Sequence, residues 1–63
     1  MASYEIIADN GGKPEVDEIF HEYAPAYLKA ISLSRRYLYV AIYKNNQMIE
    51  EYGPNESLLA MNR

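Results

Sequence analysis

Apolar and polar positions fall into distinct stretches along the chain, and each predicts an element. Tyr4 to Ala8 (Tyr-Glu-Ile-Ile-Ala) is rich in β-forming residues and stops at Asp9-Asn10-Gly11-Gly12, a cluster of turn formers. The pattern predicts a short strand over 3–8. Pro14 then suits the first turn of a helix, where its missing N–H is not needed. Glu15, Asp17 and Glu18 would set negative charge against the positive end of that helix dipole. Val16, Ile19, Phe20, Tyr23, Tyr27 and Ile31 follow at spacings of three and four, one stripe of a 3.6-residue period. Together these features predict a helix over 14–33 that ends at Ser32–Ser34. Pro25 interrupts it, and a proline in a helix interior costs about 3 kcal/mol. Because the stripe keeps its phase across Pro25, the expectation is a helix kinked there, or two short helices meeting near Tyr23-Ala24.

The second half of the chain changes period. Tyr37 to Tyr43 and Met48 to Tyr52 are two β-prone runs separated by Lys44-Asn45-Asn46-Gln47, which predicts a hairpin over 36–52. Asparagine tolerates positive φ, so Asn45-Asn46 can form a two-residue type I′ turn. Gly53-Pro54-Asn55 closes the second strand, and 55–61 is expected to form a short helix capped by Asn55. The element order β-α-β-β predicts an α+β fold: a small two-layer sandwich with a three-stranded antiparallel sheet and one kinked or split helix packed on one face. The whole of 1–63 reads as a single small domain.

A regular register about Asn45-Asn46 sets Tyr43 opposite Met48, Ile42 opposite Ile49, Val40 opposite Glu51 and Tyr39 opposite Tyr52. Leu38, Val40, Ile42 and Ile49 then share a face suited to the helix, whose inner residues would be Val16, Ile19, Phe20 and Tyr23. Tyr37, Tyr39, Ala41, Tyr43, Met48, Glu50 and Tyr52 share the other. One helix covers one face of a small sheet, so the tyrosine-rich face is expected to meet solvent or another chain. Tyrosine and methionine are enriched in interface cores, where a tyrosine ring supplies contact area and its hydroxyl keeps the free protein soluble. Tyr37, Tyr39, Tyr43, Met48, Glu50 and Tyr52 are therefore the expected partner-binding residues. A one-residue slip would redistribute this set.

Composition narrows the function classes. The chain has 63 residues, no cysteine, seven tyrosines and a net charge of -3. A chain of this length holds one core at most, and without thiols it has neither disulfides nor thiolate metal sites to supplement packing. Acids dominate residues 1–28, all four cations of 29–44 stand without an acid, and Glu50, Glu51 and Glu56 follow. Asp17, Glu18, Glu22, Glu51 and Glu56 form the expected acidic surface. An acidic chain is a poor partner for nucleic acid. No basic leader with an apolar core and no run of ~20 apolar residues is present, so the expectation is a cytoplasmic protein with no membrane segment.

Catalysis finds little support in the residues. His21 is the sole histidine, and with Asp17, Glu18 and Glu22 it reads as a solvated helix face, short of the closed ligand set of a metal site. The four serines lack an identifiable base, and Gly11-Gly12-Lys13 lacks the remaining features of a phosphate loop. Neither a catalytic residue, a metal nor a cofactor is predicted.

In size, acidity, absence of cysteine and strand-helix-hairpin order, the chain resembles the small accessory proteins of bacteriophages and mobile elements, such as anti-CRISPR proteins and inhibitors of host DNA enzymes. Some of those inhibitors mimic DNA with carboxylates at phosphate-like spacing, for which Asp17, Glu18, Glu22, Glu50, Glu51 and Glu56 are the residues here. Asn55-Glu56-Ser57-Leu58-Leu59 also resembles the Glu-Ser-aliphatic edge of uracil-DNA glycosylase inhibitors. The resemblance is one of general style and carries no diagnostic motif. It implies an anti-defence inhibitor of a host protein, acting in the host cytoplasm through aromatic anchors with a charged rim. The alternative expectation is an assembly module, a homodimer or a small subunit of a larger complex.

Overall fold

A computed structural model describes residues 2–61, with side chains described through residue 58. Its elements are β1 (Tyr4–Asp9), β2 (Val16–Phe20), α1 (Tyr23–Ser34), β3 (Tyr39–Lys44), β4 (Gln47–Tyr52) and α2 (Glu56–Met61). The fold is α+β, as the sequence predicts, with an antiparallel sheet of four strands in the order β2-β1-β3-β4 where three were expected.

The extra strand comes from the first part of the expected helix. Residues 16–20 pair with β1, Val16 against Ala8 and Phe20 against Tyr4. Asp9 and Asn10 fix the connection: the Asp9 carboxylate accepts a hydrogen bond from Gly11 N–H at 2.8 Å, and Asn10 Nδ2 donates to the Glu15 carboxylate at 3.1 Å, while Glu15 N–H donates to the Ala8 carbonyl at 2.8 Å. Gly11 takes a positive φ of 95°, a conformation open to glycine. The turn cluster thus reverses the chain into a strand, and Pro14 lies in the connecting loop. Val16 and Phe20 are four apart, so they share a face under either a helical or a β period. Ile19 separates the two readings. A helix would bury it beside Val16, whereas the strand turns it to the opposite side of the sheet, where it is 63% exposed.

Helix α1 accordingly starts at Tyr23, and Pro25 is its third residue. The first N–H groups of a helix have no intrahelical acceptor, so proline is tolerated there and neither a kink nor a split is needed. The inner stripe is Ala26, Ala30 and Leu33, all buried, in place of the expected Val16, Ile19, Phe20 and Tyr23. The small Ala26 and Ala30 bring the helix close over β1 and β3. There Ile6, Ala8, Val40 and Ile42 complete the core, with Tyr4, Val16, Phe20, Tyr37 and Tyr52 packed around it. Leu33 anchors the exit, its carbonyl accepting from Arg36 N–H at 2.9 Å and Tyr37 N–H at 2.8 Å.

Asn45 and Asn46 take φ of 51° and 69°, the signature of the expected type I′ turn. Next to the turn, Tyr43 does face Met48. Beyond them the register shifts, so that Ile42 faces Glu50, Ala41 faces Glu51 and Val40 faces Tyr52. Ile49 is the extra residue of this bulge. Asn55 ties the end of β4 to the body, donating from its backbone N–H to the Leu38 carbonyl at 2.9 Å and from Nδ2 to the Ser34 carbonyl at 2.6 Å. Its Oδ1 accepts from Ser57 N–H at 3.1 Å at the start of α2.

Candidate partner-binding surface

Strand register decides which side chains share the face opposite α1. Ile6, Ala8, Val40 and Ile42 point to the helix, so their strand neighbours Glu5, Ile7, Asp9, Tyr39, Ala41 and Tyr43 point away. Pairing extends this open face into rows. Ile19, Glu5, Tyr43 and Met48 form one, and Asp17, Ile7, Ala41 and Glu51 form the next. Asp9 and Tyr39 begin a third. At a strand spacing of about 4.8 Å, each four-residue row is roughly 14 Å wide.

Three of the expected partner-binding residues, Tyr39, Tyr43 and Met48, lie on this face. The other three do not. Tyr37 precedes β3 and packs against the core cluster. Glu50 and Tyr52 are carried to the helix-covered face by the bulge at Ile49, which also removes Ile49 from the core and leaves it 42% exposed. Leu38, expected in that core, is half-buried.

The expected acidic surface disperses in the same way. Asp17 and Glu51 occupy the open face on opposite outer strands. Glu18 faces the helix side, where its carboxylate meets Lys29 Nζ at 3.3 Å. Glu22 stands at the N-cap of α1 without a capping side-chain bond, and Glu56 lies in the first turn of α2. The residues that sequence reasoning missed are Glu5, Ile7, Asp9 and Ile19. The alternation of β1 could have revealed the first three, whereas Ile19 needed residues 16–20 to be read as a strand.

Hydrogen bonding with the Asp17 carboxyl raises the Glu5 pKa above its usual value, helped by desolvation and by the Asp17 charge. The two residues are diagonal neighbours across β1 and β2. Neither has a cationic partner, since Lys29–Glu18 is the one ion pair among the described residues.

On the helix side, Glu50 has a different setting. Tyr23 and Tyr52 both donate their hydroxyls to its carboxylate, Tyr52 at 2.7 Å. The two bonds hold the Glu50 carboxyl below the usual carboxylate range, and the Glu50 bond pushes the Tyr23 hydroxyl up to about 12 and the Tyr52 hydroxyl up as well. Tyr23 also stands edge-on to Tyr4 with ring centres 5.7 Å apart, and Lys44 Nζ lies 5.7 Å from the Tyr4 ring centre. This cluster joins the start of α1 to the β3–β4 hairpin.

Among the described residues there is no enclosed pocket and no group of three side chains able to hold a metal ion. No described helix is long and apolar enough to cross a membrane. A scan against protein-family models, a search of curated proteins and a search of solved structures each found no match.

Proposed function

We propose that this chain is a small acidic protein-binding module that works by occupying a surface of another protein, in the manner of a phage or mobile-element inhibitor of a host protein. The observation that carries the reading is the open sheet face. Ile7, Ile19, Tyr39, Ala41, Tyr43 and Met48 stand there among carboxylates, on a four-stranded sheet whose other side carries α1 over β1, β2 and β3. A flat surface of this kind suits contact with another macromolecule, and its tyrosines are the side chains most often found as anchors. The sheet holds them in fixed rows, which lowers the entropy lost on binding.

The direct test is affinity capture from bacterial lysate with tagged wild type beside the Tyr39→Ala/Tyr43→Ala double variant, with light scattering of both purified proteins. A host protein retained by wild type and lost by a folded variant is the expected result. A stable dimer that retains nothing would replace this reading with an assembly module.

A further inference from the structure

We infer that the open sheet face takes a protein segment that is both basic and apolar, with lysine or arginine side chains set between aliphatic or aromatic ones. The inference rests on the protein-binding reading and specifies the chemistry of the partner. Each titratable carboxylate on the face, Glu5, Asp9, Asp17 and Glu51, lies beside an apolar residue in the strand rows. The cations among the described residues are elsewhere. Lys44 is opposite Tyr4 on the helix side, Lys29 pairs with Glu18 there, Lys13 is in the β1–β2 loop, and Arg35 and Arg36 follow α1.

The face therefore presents negative charge that the described part of the molecule does not neutralise. Asp9 accepts a backbone hydrogen bond from Gly11, but Glu5 and Asp17 are diagonal neighbours on the face with no described cation between them. A cation placed between Glu5 and Asp17 would relieve that proximity while an apolar neighbour packed on Ile7, Ile19 or Tyr43. A second copy of the chain is the wrong occupant, because each copy would bring four carboxylates and no described cation to the contact, and bringing two faces of like charge together is repulsive. Surfaces that contact nucleic acid have the required chemistry, since they combine lysine and arginine with apolar and aromatic contacts. The occupant is thus a segment of another protein that carries apolar side chains between its cations.

The test is an amide-shift titration of the isotope-labelled full chain with a synthetic helical peptide that presents arginine and leucine on one side. A peptide of the same length with glutamate for arginine is the control. Saturable shifts at Ile7, Ile19, Tyr43 and Met48, seen with the arginine peptide alone, are expected. The affinity should fall by about tenfold between low and physiological salt, because the contributing charges sit at an accessible surface. Asp17→Asn/Glu51→Gln should weaken binding to a similar degree while leaving the amide spectrum otherwise folded. Equal binding of the two peptides, shifts confined to α1, or no binding of the arginine peptide overturns the inference. Sedimentation that shows a dimer abolished by Tyr43→Ala overturns it too. Should the lysate test give a partner that depends on Tyr39 and Tyr43 but is indifferent to salt and to Asp17→Asn/Glu51→Gln, the basic chemistry fails while the protein-binding reading stands.

Discussion

Tyr23 and Tyr52 converge on one carboxylate from two different elements, so Glu50 is a junction in the fold. Its effect on stability has a definite sign at each end of the pH scale. The Glu50 pKa is lowered, so its contribution is present above the usual value of 4.5 and is lost as pH falls through the depressed folded value. Tyr23 behaves in the opposite sense. Its pKa is raised from 10.0 to about 12, so its contribution is full below 10.0 and is lost as pH rises towards about 12. Glu50→Gln removes the charge and keeps an acceptor. Its melting temperature should lie below that of wild type at neutral pH, and the gap should close in acid. Phenolate absorbance in the same variant should show two tyrosines titrating earlier, nearer the ordinary value.

Gly53 is a second residue whose identity matters. It holds a φ of 124°, and a Cβ built there would run into the Leu38 carbonyl oxygen and lie 3.2 Å from Tyr39 Cα. Both obstacles are backbone, so no side-chain rotation relieves them. Gly53→Ala should destabilise the fold by about 2–4 kcal/mol, combining strain at positive φ with a steric clash, as denaturant unfolding would measure.

Among the elements, α1 shows why a local signal can mislead. Proline and an apolar stripe at three- and four-residue spacing describe a helix start at Pro14 as well as at Pro25, and the acids that follow Pro14, absent from the first turn of α1, favour the wrong one. The deciding contacts are non-local: β1 offers residues 16–20 a partner, and the Asp9–Gly11 turn returns the chain to it. Strand β1, the β3–β4 hairpin and its turn were legible because alternation and Asn45-Asn46 act locally. The bulge at Ile49 was not, since nothing in Met48-Ile49-Glu50 marks which residue will be left unpaired. That one residue accounts for the misplacement of Glu50 and Tyr52, while the start of α1 accounts for that of Ile19. Pro25 provides a check on the helix boundary. As a first-turn residue it gives up no intrahelical bond, so Pro25→Ala should change stability by less than about 1 kcal/mol, whereas relief of a mid-helix proline would stabilise by about 3 kcal/mol.

At the scale of the whole molecule, the sheet separates folding from the proposed contact. Ile42 is fully buried on the helix side, and its strand neighbours Ala41 and Tyr43 face the other way. Ile42→Asp should leave the chain unfolded by circular dichroism, because an unpaired carboxylate would enter a core too small to accommodate it. Tyr39→Ala/Tyr43→Ala should keep a native spectrum and lose the partner. The two variants together distinguish loss of fold from loss of contact.

The bulge in β4 has a consequence for how copies of the chain could join. β4 and β2 are the two outer strands, and Ile49 breaks the regular spacing of free backbone groups along β4, while β2 runs from Val16 to Phe20 without interruption. Irregular borders resist the addition of further strands, and regular ones invite it. With one receptive border, strand-by-strand association ends when two copies have met, whereas a fibre needs a receptive border on both sides of every copy.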